Sequence, residues 1–147
     1  MSVPMSKREL STIQYLYEIY KFNIELGKMC NNGPKKYKTN YSDFIISSGL
    51  KALQYAQYAN SIYISKDTPQ EMFDEREKCL KRAMGLIDNI STTCQIYLEL
   101  VKGCGVPNDK ITKRQEYIGT TTNNIISLIN GVMKSDKERY KKYKSQQ

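Results

Sequence analysis

Histidine and tryptophan occur nowhere in the 147 residues. Without histidine the chain cannot build the Glu-x-x-His di-metal sites that helical bundles hold, nor a Ser-His or Cys-His nucleophile. No G-x-x-x-x-G-K-[ST] loop is present to cradle phosphates. Cys30, Cys79, Cys94 and Cys104 never take the C-x-x-C spacing of zinc or redox sites, and they read as free thiols. No apolar run nears the ~18 residues of a membrane span. The opening stretch from Met1 to Arg8 lacks the apolar core of a signal peptide, so a cytoplasmic protein without a membrane partner is expected. The carboxylates fall on expected outer faces. No catalytic residue, metal site or cofactor is therefore expected, and the chain reads as non-enzymatic. Sustained β alternation is missing too, which leaves helices.

What is abundant is positive charge. Lys and Arg number 23 against 15 Asp and Glu, a net charge of +8. Such a surplus favours polyanion partners, nucleic acid first and anionic membrane second. The alternative reading is a solvated basic surface that only aids solubility. Twelve tyrosines offer base stacking in principle, but Tyr17, Tyr20, Tyr63 and Tyr97 fall at core or seam positions.

The hydrophobic pattern predicts an all-α protein of one domain, an antiparallel up-down-up-down four-helix bundle. The longest helix is expected over 69–102. Phe73, Leu80, Ala83, Met84, Ile87, Ile90, Cys94, Tyr97, Leu98 and Val101 recur there at steps that keep them on one side. Thr68-Pro69-Gln70-Glu71 reads as its capping box and Gly103 as its stop. At about 1.5 Å per residue it would be roughly 50 Å long, too long a stripe to bury alone. A first helix is expected over 6–30, opened by the Ser6-x-x-Glu9 box, with Leu10, Ile13, Leu16, Tyr17, Tyr20 and Ile24 as its inner stripe. A second is expected over 40–64, with Ile45, Gly49, Ala52, Ala56, Ala59 and Tyr63 on one face and Phe44, Ile46, Leu50 and Leu53 beside it. Its small residues allow close approach of a neighbour, and the short Ser65-Lys66-Asp67 link makes helices two and three antiparallel. A fourth is expected over 108–134. Ile111, Ile118, Ile125 and Val132 stand seven apart, with Gln115, Thr122 and Ile129 completing a seam that is partly wet or lies at an oligomer contact. Residues 135–147 read as a basic tail, either a frayed helix end or a flexible arm.

Three basic groups are candidates for touching a polyanion. Lys35, Lys36 and Lys38 crowd around Tyr37 after the breaker Asn31-Asn32-Gly33-Pro34. Such crowding is unfavourable at a helix start, where the macrodipole is positive. Lys113 and Arg114 open helix four. Arg76, Lys78, Lys81 and Arg82 are expected on the outer part of helix three. In the antiparallel arrangement the first two groups share one end and make the main surface, while Arg76, Lys81 and Arg82 lie nearer the other.

Certain stretches also carry a resemblance. They are Met1-Ser2-Val3-Pro4 with Arg8, Pro34-Lys35-Lys36-Tyr37, and Ala59-Asn60-Ser61-Ile62-Tyr63. Further along come Arg76 and Ala83, Lys113-x-x-Glu116-Tyr117, and Lys134-Ser135-Asp136-Lys137-Glu138-Arg139-Tyr140. In this order and spacing the chain resembles the Avd-like four-helix-bundle proteins, the accessory variability determinants of diversity-generating retroelements. It also resembles related small bundles of phage-like elements and of intervening sequences in bacterial 23S rRNA genes. The resemblance implies a ring-shaped homo-oligomer, a pentamer, with a basic surface that binds RNA or DNA and assists a reverse transcriptase. The chain departs from the family pattern in the last helix, where Leu128-Ile129-Asn130-Gly131-Val132-Met133 stands in place of a Trp-bearing segment. The other functional class open to it is a structural adaptor whose basic face binds an acidic protein.

Overall fold

A computed structural model describes residues 13–146. Among the described residues there are four α-helices and no strand: α1 (Gln14–Asn31), α2 (Asp43–Ser61), α3 (Gln70–Val101) and α4 (Asn108–Ser145). The box at Ser6 lies outside these residues. α3 packs against α2 and α4, and α1 packs against the same two helices, so a single core runs between them. Leu80, Ile87, Ile90, Tyr97 and Leu98 of α3 are fully buried in it. Each buried aliphatic side chain of this kind contributes roughly 1.5–3 kcal/mol. The stripe expected from spacing is the stripe that is buried, with Met84 half-buried at its margin.

α2 follows the same logic. Ile45, Ala52, Ala56 and Ala59 are completely buried. Gly49 is there because α1 comes close. A Cβ on it would lie 2.5 Å from Asn23 Oδ1, and Asn23 Nδ2 donates 3.0 Å hydrogen bonds to the carbonyls of both Gly49 and Ile19. The small face is therefore used within the chain. Its apolar neighbours Phe44, Ile46 and Leu50 stay exposed, and so does Tyr63, which lies beyond the end of the helix.

α1 departs from the expected phase. Its buried face is Tyr15, Leu16, Ile19, Phe22, Leu26, Met29 and Cys30, while Tyr17 and Tyr20 are half-buried and Ile24 is 43% exposed. The helix is apolar around most of its circumference, so two inner stripes fit its sequence equally well, and packing against α2 and α4 buries the one holding Phe22. Phe22 meets Tyr117 of α4 with ring centroids 6.4 Å apart.

The helix ends also differ from the local signals. Thr68 does not cap α3. Its hydroxyl accepts from Ser65 N–H at 2.7 Å and donates to the Tyr63 carbonyl at 3.1 Å, which closes the connecting loop. Pro69 takes the cap, its carbonyl accepting from the N–H groups of Met72 and Phe73. Gly103 does not stop the helix either. It sits inside a 3-10 turn (Lys102–Cys104), and the left-handed residue that reverses the chain is Gly105, at φ 86°.

The largest difference lies at the far end. α4 does not give way to a tail after residue 134 but stays helical to Ser145. Met133, Asp136 and Tyr140 continue its buried stripe at steps of three and four. The Asp136 carboxylate takes two bonds from Arg76 of α3, Nε–Oδ2 at 2.7 Å and Nη2–Oδ1 at 3.3 Å. Arg76 Nη1 also donates to the carbonyls of Ala59 and Ile62, each at 3.0 Å, and so satisfies the open end of α2. The Tyr140 ring stacks on Phe73 at 4.5 Å, and its hydroxyl donates to the Thr68 carbonyl at 3.0 Å. With Ile64 these residues form a second small apolar cluster. The seam of α4 is likewise internal. Thr122 is buried, and Gln115 bonds Glu99 on α3 at 2.8 Å.

Candidate nucleic-acid interface

The basic connection between α1 and α2 is more ordered than its composition implies. A 3-10 turn (Lys35–Tyr37) runs directly into a π-helical turn (Lys38–Ser42) that feeds α2. Tyr37 holds it down. Its ring packs edge-on against Tyr41 at 5.9 Å and Tyr97 at 6.5 Å, and Tyr97 is completely buried. The aromatic between the lysines is thus partly buried against the core. Gly33 leaves room for this packing, because any Cβ there would overlap the Tyr97 hydroxyl. With Tyr37 anchored, Lys35, Lys36 and Lys38 are left exposed. Lys36 Nζ lies 5.1 Å over the Tyr37 ring, and Lys38 reaches Asp43 at 3.5 Å with both side chains more than half exposed. A pair that open to water adds little stability and is easily exchanged for a phosphate.

Two clefts open at this end of the molecule. The first, about 550 Å³, is lined by Lys28, Lys35 and Lys38 together with Cys30, Ser42 and Asp43. The second, about 220 Å³, is lined by Lys28, Lys110, Lys113 and Arg114 with Tyr117 and Glu25. Lys28 lines both. The loop lysines and the start of α4 thus meet at Lys28, which is paired with Glu25 at 3.4 Å in a contact open to water. Lys28 and Lys110 were not singled out by pattern. Lys28 stands alone in the last turn of α1 and has no such signal, whereas Lys110 precedes Lys113 by one turn of α4, so helical spacing marks it.

Beneath the surface the polar groups feel Arg114. Burial pushes the Cys30 thiol up, while a hydrogen bond with Ser42 and the Arg114 charge pull the other way. Burial likewise raises Tyr97, again with Ser42 and Arg114 opposing. The Tyr97 hydroxyl lies beside Ser42 without a well-aligned hydrogen bond. Glu99 is held below the usual carboxylate range by Lys102, 2.9 Å away, and by Gln115. Lys102 is in this way partly neutralised.

The group on α3 is placed differently. Arg76 is not on an outer face. Its side chain is 12% exposed, and its guanidinium is committed to Asp136 and two carbonyls. Nothing local distinguishes it from an outward arginine, because its partners stand 14 to 60 residues away. Lys81 and Arg82 are exposed. Lys81 reaches Glu77 at 3.2 Å, and Arg82 lies 5.6 Å over the Tyr55 ring of α2. They stand roughly 25 Å along α3 from Glu99, the residue that meets the start of α4. The structure therefore brings Lys35, Lys38, Lys113 and Arg114 together, leaves Lys36 beside them, sets Lys81 and Arg82 apart, and turns Arg76 inward.

Among the described residues no group of three or more Cys, Asp or Glu is gathered as a metal site, and no helix is long and apolar enough to cross a membrane. The chain matches no family model, no curated protein and no solved structure.

Proposed function

We propose that this chain is a non-enzymatic nucleic-acid-binding accessory protein of the Avd-like kind, a single-domain antiparallel bundle working in the cytoplasm. The observation that carries the reading is the gathering of Lys28, Lys35, Lys38, Lys113 and Arg114 along two adjoining clefts, where they outnumber the carboxylates Glu25 and Asp43. Most of its side chains are exposed and can approach a phosphate backbone without first leaving a buried partner. The alternation of helix direction is supported by pairings between distant residues. Early α3 meets late α4 through Arg76 and Asp136, and late α3 meets early α4 through Glu99 and Gln115.

A homo-oligomeric ring, a pentamer on the resemblance, belongs to the same proposal. Its support is the exposed apolar set on α1 and α2, with Ile24 at 43%, Phe44 at 46% and Leu50 at 50% exposure. A reverse transcriptase is the partner that the resemblance implies. In a ring each basic surface is repeated, so modest contacts add across protomers.

The test is a protein with Lys35, Lys36 and Lys38 all changed to Ala. It should stay helical and keep its mass in solution. Its affinity for RNA or DNA should fall, and its salt slope should become shallower by roughly 1 unit per lost phosphate contact. Binding as tight as the parent's at about 150 mM salt would refute this surface. Salt-dependent binding to an acidic protein, with none to nucleic acid, would establish the adaptor reading instead.

A further inference from the structure

α3 and α4 share an unusual distribution of charge. From Ala83 to Val101 α3 has no Lys or Arg, and from Gln115 to Met133 α4 has none either. On α4 this cation-free waist, whose charges on the two helices are the carboxylates Asp88, Glu99 and Glu116, is about 30 Å long. Beyond it, six cations crowd into eleven residues: Lys134, Lys137, Arg139, Lys141, Lys142 and Lys144. Because this stretch is helical, their positions are set. Lys134, Lys137, Lys141 and Lys144 step by three and four along one stripe, with Arg139 and Lys142 on the opposite flank. The stripe is also held firmly. Asp136 is clamped by Arg76 and Tyr140 is stacked on Phe73, which fixes the inner face and turns the lysines outward. Lys137 lies 3.4 Å from Glu77, the carboxylate that also meets Lys81, so the stripe of α4 continues into the exposed cations of α3. The loop tied to Tyr140 carries Tyr63, which at 77% exposure is the most exposed aromatic described.

A row of cations on a helix tied to a loop that carries an exposed aromatic ring has the chemistry of a single-strand site. Ammonium groups track the phosphates, and the ring stacks on a base. A tyrosine ring also serves at protein contacts, so binding of an acidic protein in place of single-stranded RNA would overturn the assignment. We propose that the far end of α4 is a second nucleic-acid site, and that one single strand is held at both ends of α4 across the cation-free waist. The inference rests on the nucleic-acid reading of the first surface. It adds that the chain is a two-ended clamp in which the second contact is intramolecular and raises affinity without new chemistry.

The test uses the full chain and two single-stranded RNA oligonucleotides. One of about 6 nucleotides covers roughly 20 Å and cannot span the waist; one of about 20 nucleotides can. The parent should bind two short oligonucleotides per chain but one long one, and the long one at least about 10-fold more tightly. Changing Lys137, Lys141 and Lys144 to Ala should leave one short oligonucleotide per chain and remove the length advantage. The salt slope for the long strand should fall by about 2 units, at ~0.7 per single-strand phosphate. Circular dichroism checks the fold, and Gln at the same three positions replaces Ala should that variant unfold. One short oligonucleotide per parent chain, with unchanged long-strand binding in both variants, would overturn the clamp and leave the first surface standing. A parent that binds neither oligonucleotide would overturn both readings.

Discussion

Removing the Asp136 carboxylate should cost more than any surface change on this molecule. In Asp136→Ala, Arg76 loses a two-point contact of 2.7 and 3.3 Å at a site where its side chain is only 12% exposed. Breaking a buried pair by deleting one partner typically costs 3–5 kcal/mol, because the remaining charge is left without compensation. Here Arg76 keeps its bonds to the Ala59 and Ile62 carbonyls, which lowers the figure to about 3 kcal/mol. For a domain of this size that is a fall in Tm of about 6–12 °C. Urea unfolding followed by circular dichroism reads the change directly. Amide exchange should show where it acts, with amides beyond Lys134 opening faster while those of the α3 core keep their protection. An Arg76→Met, Asp136→Leu double variant should be less destabilised than the sum of its singles, since neither charge is then stranded. Arg76→Met alone should keep the salt slope of nucleic-acid binding. A loss below about 1 kcal/mol in Asp136→Ala, or unchanged exchange in the last turns of α4, would show that the pair does not anchor the helix end.

Two further outcomes test other parts of the reading. Burial pushes the Cys94 thiol from 9.0 up to about 12 and the Tyr15 hydroxyl from 10.0 up to about 12. The unfolded chain releases these protons first, so stability that is complete below pH 9 should be lost progressively as pH rises to about 12. The Cys94 share is on the order of 1.4 kcal/mol per pH unit, and Cys94→Ala should flatten the alkaline limb of a urea midpoint series. Leu50→Glu places a charge in the exposed apolar set of α2 and should leave the helical signal intact while lowering the mass read by light scattering. A parent already monomeric at micromolar concentration would remove the ring.

Much of the fold is local and therefore legible in the sequence. The α3 stripe from Phe73 to Val101 and the small face of α2 from Ile45 to Ala59 repeat at helical spacing, and no tertiary information is needed to see them. Lys35, Lys38, Lys113 and Arg114 were visible as short basic clusters for the same reason. Where local patterns were degenerate, the tertiary structure decided. α1 is apolar on too many sides for spacing to choose its inner face, and the choice fell to its packing on α2 and α4. The end of α4 reads as a basic tail because Asp136 looks like one more surface charge. It becomes core only through Arg76, 60 residues earlier. The same contact removes Arg76 from the outer surface. Tyr37 stands among lysines in the sequence, and only the fold sets it against Tyr41 and Tyr97. In each case periodicity reports which residues share a face, while the neighbour that the face meets is set by contacts between residues far apart in the chain.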